Sequence, residues 1–399
     1  MDGYGDYVFV TSVVLVFVGL SDMGTTTIGV RESSAKKEKT STVFSNILGI
    51  RFLLSLFLWG CFNILNLILP QFIGLRQAAF LASSVIIFLV LKTTSEAILQ
   101  TFLRLDLVSL LDAIYALVFL LLLSPFVFFF KLTSVSWLMI FWSLASLFTG
   151  IIGLIIASKY FSFKISLSKK EMIEIAKESF PLGMYLLVYS VYDRGIDSFV
   201  LKSFVGSEAV GFYGLAYKIH GNLILGAAFL MNSLFPLISE ARQKLVVVKK
   251  TFEKSFTVLF LTGLSILLFG FLLSPLIIKI IAGETFYSSA IALKILLGAT
   301  LFSYLNHLTG YFLVALGEQK SLLRISFAGL IFNLFLNLIF IPKFSFLAAA
   351  VITVFTEIVI FILTYNFLRK KFFLSYSFKI LVENIKMIFK NKLEYFNKL

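Results

Sequence analysis

The chain is 399 residues long, and 59% of it is hydrophobic while only 14% is charged. A water-soluble domain is nearer half apolar and a quarter charged, and no single aqueous core buries this much apolar surface, so lipid is the solvent for most of the chain. The formal net charge of +14 would point to nucleic acid in a soluble protein; here the charges gather in the links between apolar runs, which excludes that reading.

Eleven runs reach the roughly 20 residues that a membrane-crossing helix needs. They are too long, and alternate too little, for barrel strands. The first, 7–29, leads into a basic link with Arg31, Lys36, Lys37 and Lys39. The second, 43–69, carries Arg51 and the only cysteine, Cys61, so no intrachain disulfide can form. The third, 78–98, carries Lys92 and Glu96, and the fourth, 107–130, carries Asp112. The fifth, 136–157, opens onto the longest link, 158–178, whose stretch from Ser168 to Ser179 is amphipathic. Asp193, Arg194 and Asp197 lie in the sixth run, 179–201, and Lys218 and His220 in the seventh, 211–236. The eighth is 256–278. The ninth, 288–314, holds Lys294 and His307, the tenth, 321–341, holds Asn333 and Asn337, and the eleventh, 346–367, holds Glu357. A basic tail, 369–399, mixes Phe, Ile, Leu and Lys and suits an amphipathic helix on an anionic membrane surface. The two histidines are far apart in apolar runs and offer no metal-ligand spacing.

Orientation follows from Lys and Arg. Alternate connections, counting the tail, hold about 25 basic residues; the opposite set holds about five, namely Arg76, Lys131, Lys202, Lys279 and Lys343. The rich set is expected to be cytoplasmic, with the C-terminus inside. An odd number of spans then puts Met1 outside.

Gly5-Asp6-Tyr7 opens the first run and Gly211-Phe212-Tyr213 opens the seventh, and both runs end in a basic link. Such repetition accompanies transporters built from two rocking bundles. More specific patterns follow. Residues 333–357 carry Asn333 and Asn337 four apart, Pro342, a turn, Ala349-Ala350 and Thr356-Glu357. Gly283-Glu284-x-Phe286 precedes the ninth run, and Asp197 is followed by Val210-Gly211-x-Tyr213-x-x-Ala216. Tyr4-Gly5-x-Tyr7, Asp22-x-Gly24 and Arg31 mark the first run. Together these resemble the Wzx-type oligosaccharide flippases, within the superfamily that also holds the multidrug and toxin extrusion (MATE) transporters and the peptidoglycan-lipid flippases. Ser345 and Ala348 stand where that family usually has glycine in the turn.

The resemblance implies an all-α, MATE-like membrane protein of two pseudo-symmetric bundles. The family has twelve spans, and this chain aligns from the second, so the first is expected to be missing. The expected boundaries are an N-terminal bundle 1–157, a cytoplasmic linker 158–178, a C-terminal bundle 179–368 and the tail 369–399. The implied substrate is an undecaprenyl-diphosphate-linked oligosaccharide repeat unit, moved across the cytoplasmic membrane for surface polysaccharide such as O-antigen or capsule. Implied partners are membrane lipid and the polysaccharide polymerase machinery, with no nucleic acid, no cofactor and no metal.

Ionisable groups inside spans cost several kcal/mol and mark function. Arg51, Lys92, Arg194, Lys218 and Lys294 are expected along a substrate path, where cations offset phosphate charge. Glu96, Asp193, Asp197 and Glu357 are the candidates for coupling an ion. A plainer reading pairs Lys92 with Glu96 one turn away, pairs Asp193 or Asp197 with Lys218, and leaves His220, His307, Asn333 and Asn337 to contacts between helices. A MATE-type multidrug or cation antiporter is the alternative, but its cavity should be dominated by acids, and here acids and bases balance. An enzyme such as a polysaccharide polymerase would need large outer loops, which this chain lacks. No phosphate-binding Gly-x-x-x-x-Gly-Lys-Ser/Thr loop occurs, so ATP is not the direct energy source.

Overall fold

The computed structural model describes residues 2–35, 38, 40–126, 128, 134–162, 168–191 and 195–390. Among them the secondary structure is helix, with no strand. Eight helical segments are long and apolar enough to cross a membrane. By contacts the chain divides into two compact units, Asp2–Ser203 and Phe204–Leu399. The boundary expected from sequence, between 157 and 179, lies ahead of that division, so the run at 179–201 packs with the first unit.

The first unit contains α1 (Asp2–Asp22), α2 (Thr25–Ala35), α3 (Thr40–Ile68), α4 (Arg76–Ser83), α5 (Val85–Thr101), α6 (Leu105–Pro125), α7 (Val135–Ala157), α8 (Lys169–Ser190) and α9 (Ile196–Phe204). The single helix expected at 7–29 is two. α1 ends and α2 begins around Met23 (φ 44°) and Gly24 (φ 74°), both in left-handed backbone. Glycine takes that conformation freely, whereas at Met23 it costs about 1–3 kcal/mol. The break is packed rather than exposed. A Cβ on Gly183 of α8 would fall 2.5 Å from the Met23 carbonyl oxygen, so only glycine lets α8 approach this closely. The freed backbone groups are satisfied locally. The Thr25 hydroxyl donates to the Asp22 carbonyl (2.6 Å), and the Ile28 N–H donates to the Gly24 carbonyl (3.2 Å). Non-helical backbone at membrane depth is tolerated only under such cover.

α5 is central to this unit and packs most extensively on α7. Lipid gives helices no hydrophobic reason to associate, so close contact of small residues carries the packing. Gly150 of α7 shows how close: an added Cβ would sit 3.2 Å from the Phe88 carbonyl oxygen of α5. α6 contrasts with α5. Leu111 is its one buried residue, as expected for a helix facing lipid. α8 starts where the amphipathic stretch was expected. Ser168 caps it by accepting the Glu171 N–H, and buried Asn46 of α3 ties the cap down, accepting the Ser168 N–H (3.1 Å) and donating to the Glu171 carboxylate (2.5 Å).

The second unit contains α10 (Ser207–Glu240), α11 (Leu245–Ala282), α12 (Ser288–Ala315), α13 (Gln319–Phe372) and α14 (Phe378–Lys390). α12 is its hub, packing on α10, α11 and α13. α13 is 54 residues long, which at ~1.5 Å per residue is far more than a bilayer's ~30 Å. It is two spans joined at Ser345 (φ 58°, ψ −147°), the turn where the sequence departs from glycine. Asn333 and Asn337 are buried at the contact between these spans: Asn337 donates to Asn333 (2.8 Å), which donates to Thr356 (3.3 Å). The tail helix α14 docks on α11, where the Asn384 amide donates to the Thr257 hydroxyl (2.8 Å) and the Tyr376 ring stacks on Phe256 with centroids 4.0 Å apart.

Candidate functional site

In the first unit, α3 carries Arg51 into the protein and buries its side chain to 2% exposure. A buried guanidinium must find hydrogen-bond partners, and α5 supplies them through Thr93 and Thr94. Nη1 donates to the Thr94 hydroxyl and Nη2 to the Thr93 hydroxyl, both at 2.8 Å. Asp22, at the break between α1 and α2, is the counter-ion, with Oδ1 3.5 Å from Nη2. The same oxygen accepts the Thr26 N–H in the first turn of α2 (3.3 Å). Arg51 Nε is buried without a partner among the described residues.

Lys92 lies beside Thr93 on α5 but turns toward α6. Its ammonium pairs with Glu96 one turn on and with Asp112 Oδ1 at 2.7 Å, and sits over the Tyr115 ring, 5.4 Å from the centroid. The Trp142 indole N–H donates to the Tyr115 hydroxyl (2.6 Å) and fixes that ring. Lys92, proposed for the path, and Glu96, proposed for ion coupling, are thus members of one ion cluster. Arg51, bonded to the two threonines that follow Lys92, is near it along α5, but the two cations pair with different acids. Asp197 is buried in the first turn of α9. Asp193 and Arg194 lie outside the described residues.

In the second unit, Lys218 of α10 is exposed and has no ion pair among the described residues. Lys294 of α12 is half-buried, with its ammonium 5.1 Å from the centre of the Phe271 ring of α11, a cation–π contact in place of an ion pair. Glu357 accepts two bonds from the Asn306 amide, one to its carboxylate (2.8 Å) and one to its own backbone carbonyl (2.9 Å). His220 bonds through Nδ1 to the Thr300 hydroxyl (2.8 Å) across two helices, and His307 to the Ser303 carbonyl within its own helix (2.8 Å).

Sequence reasoning passed over three participants: Asp22, Thr93 and Thr94. The signal for the threonines was the polar run Lys92-Thr93-Thr94-Ser95-Glu96 inside an apolar helix. Asp22 was visible only as part of Asp22-x-Gly24. Among the described residues, the first unit therefore offers a fork-shaped cation with a donor to spare, and the second offers two cations without acids. Guanidinium and ammonium groups are chemically suited to bond phosphate or carboxylate oxygens.

Residues 2–242 match the family model described as polysaccharide biosynthesis protein, and residues 181–339 match the MatE model. A Shigella flexneri protein named "Putative O-antigen transporter" is 24% identical over 366 residues, 88% of this chain and 86% of that one. An uncharacterized membrane protein of Methanocaldococcus jannaschii is 29% identical over 245 residues, 59% of this chain; the match spans only about half (47%) of that relative's length. The fold is similar to that of the lipid II flippase MurJ in an inward closed conformation, with a TM-score of 0.79 at 14% identity, over 99% of this chain and 89% of that one. With well over half of its length matched by one model, the chain is a multi-pass α-helical membrane protein that belongs to the polysaccharide biosynthesis protein family.

Proposed function

We propose that the protein is a transporter, not an enzyme, and that it moves a lipid-diphosphate-linked oligosaccharide across the cytoplasmic membrane by alternating access. The observation that carries this reading is Arg51: a guanidinium buried at membrane depth, held ready by two hydroxyls and one loosely placed carboxylate. Such a group is expensive in a bilayer unless it serves a pathway, and its fork matches a diphosphate. Lys218 and Lys294, which have no acid partners among the described residues, extend the cationic character into the second unit. The lipid tail stays in the bilayer while the diphosphate and sugars cross. Undecaprenol is the carrier, surface polysaccharide the destination, and a polysaccharide polymerase the next machine.

The family match and the name of the Shigella relative support this reading. The MatE match supports the shared fold and would equally suit a cation antiporter, but a carrier of organic cations would not hold unneutralised lysines in its spans. Glu96, Asp193, Asp197 and Glu357 are the groups through which a proton or sodium ion would couple. The basic links and the tail face the cytoplasm.

The test is genetic. In a strain lacking its own flippase, the unmodified protein restores surface polysaccharide, and Arg51→Gln or Lys218→Gln abolishes it at an unchanged level of inserted protein. Export at the unmodified rate by both variants would refute the cationic path.

A further inference from the structure

We infer that Asp22 is an internal stand-in for the substrate's phosphate, a positioning residue that holds Arg51 ready and leaves it when the anion arrives. This rests on the flippase reading above and adds a residue to it. The contacts of Arg51 are unequal. Its bonds to Thr93 and Thr94 are 2.8 Å, the length of good charge-assisted bonds, whereas its approach to Asp22 is 3.5 Å, longer than the usual 2.7–2.9 Å for a guanidinium and a carboxylate. The two neutral hydroxyls fix the guanidinium, and the charged partner is the loose one. Arg51 Nε, buried and without a partner among the described residues, is a further donor that Asp22 does not reach.

The carboxylate is shared. Asp22 Oδ1 also accepts the Thr26 N–H at 3.3 Å, in the first turn of the 11-residue helix α2. That helix begins only because the backbone breaks at Met23 and Gly24. One oxygen thus stands, at long range, between a helix N-terminus and a guanidinium, two donors that both favour anions. A phosphate has more oxygens and more charge than a carboxylate and can serve Nη2, Nε and the α2 amide at shorter distances together. Access agrees with the exchange: the Asp22 side chain keeps 21% of its surface exposed and Arg51 only 2%, so an incoming group meets the carboxylate first. Between substrates Asp22 keeps the buried cation neutralised, which prevents the cost of a lone charge in the membrane. Because it must be displaced, it also discriminates: a ligand with one weak negative charge cannot compete.

The experiment uses the full-length protein in detergent, with farnesyl diphosphate as the lipid-linked probe and inorganic pyrophosphate as the free anion, and reads affinity by calorimetry. Asp22→Asn keeps the shape and the Thr26 bond but removes the competing charge. It should tighten the prenyl diphosphate about tenfold, one step of ~1.4 kcal/mol, while Arg51→Gln weakens it by at least that factor and the double variant binds as Arg51→Gln does. Pyrophosphate binding as tightly as the prenyl diphosphate would assign the site to free anions and overturn the substrate role. Hydrogen exchange of the unmodified protein gives a second reading that does not depend on any variant folding. Probe binding should slow exchange of the Thr26 amide, because the phosphate takes over that N–H at shorter range than the 3.3 Å of Asp22. Faster or unchanged exchange there, or an Asp22→Asn affinity equal to or below the unmodified one, overturns the stand-in. If Arg51→Gln leaves binding unchanged, the phosphate reading of Arg51 fails as well, and the two failures are thereby told apart.

Discussion

Lys92 offers the sharpest test of which intramembrane charges are structural. Its side chain is 9% exposed and pairs with Glu96 (18%) and with Asp112 (65%). Lys92→Gln removes the cation and leaves the more buried acid, Glu96, uncompensated. Breaking a buried pair from one side costs about 3–5 kcal/mol, because the remaining charge is stranded. Asp112 is mostly exposed, and its share is smaller, about 0–1 kcal/mol. Glu96→Gln alone should cost less than Lys92→Gln, because Asp112 still neutralises the lysine. Lys92→Gln with Glu96→Gln removes both charges and should recover most of the loss, giving a coupling of at least about 2 kcal/mol, in the upper part of the range for side chains in contact. Unfolding of the purified protein by titration with SDS, followed by tryptophan fluorescence, measures all three variants. Single variants within about 0.5 kcal/mol of the parent, adding without coupling, would refute the ion cluster. The same double variant separates roles. Preserved polysaccharide export would make the cluster a helix fastener, whereas lost export at a normal protein level would put Lys92 on the path.

Three other outcomes are expected. Ser345→Gly should stabilise the protein by roughly 1 kcal/mol, since relief of a strained left-handed residue (about 1–3 kcal/mol) exceeds the added flexibility of glycine (about 0.5–1 kcal/mol); a lower unfolding midpoint would contradict the strained turn. Glu318, outside the spans, is held below the ordinary carboxylate range by its bond to Lys371. A depressed folded pKa gives stability that is present above the unfolded value near 4.5 and lost as pH falls through the folded one. The effect is under about 1 kcal/mol for such an accessible pair, and Glu318→Gln should flatten the fall in melting temperature below that pH; an unchanged slope would discard the contribution. In a Cys61→Ser background, a membrane-impermeant thiol reagent applied from outside should label Ser207→Cys and miss Lys244→Cys, and the reverse pattern would invert the orientation.

The apolar runs fixed the positions of most helices because lipid enforces length and hydropathy together. The i,i+4 spacing foretold the Lys92–Glu96 pair, and the same spacing placed Asn333 and Asn337 at one helix contact. What stayed hidden depended on tertiary register. Asp112 meets Lys92 only because the turn after α5, with Leu103 at φ 58° and Arg104 bonded to Asp106 and Tyr160, sets how α6 folds back. The break between α1 and α2 was hidden because its packing partner, Gly183, is 160 residues away along the chain. Lys218 was expected along a substrate path, with an ion pair as the plainer reading; it is exposed, with no ion pair among the described residues. Two-residue motifs such as Asp22-x-Gly24 state that a position matters, but only the fold shows that the carboxylate faces a guanidinium.

The central claim is that this protein carries a lipid-diphosphate-linked sugar from one leaflet to the other. Purified protein in sealed vesicles, with a fluorescent prenyl-diphosphate oligosaccharide in both leaflets and a membrane-impermeant quencher outside, measures that transfer. The unmodified protein should make the whole fluorescent pool quenchable, Arg51→Gln vesicles should keep the inner half protected, and an organic cation loaded inside should be retained in both cases. Protection of the inner half by the unmodified protein, together with release of the organic cation, would contradict the account and leave the protein a cation antiporter.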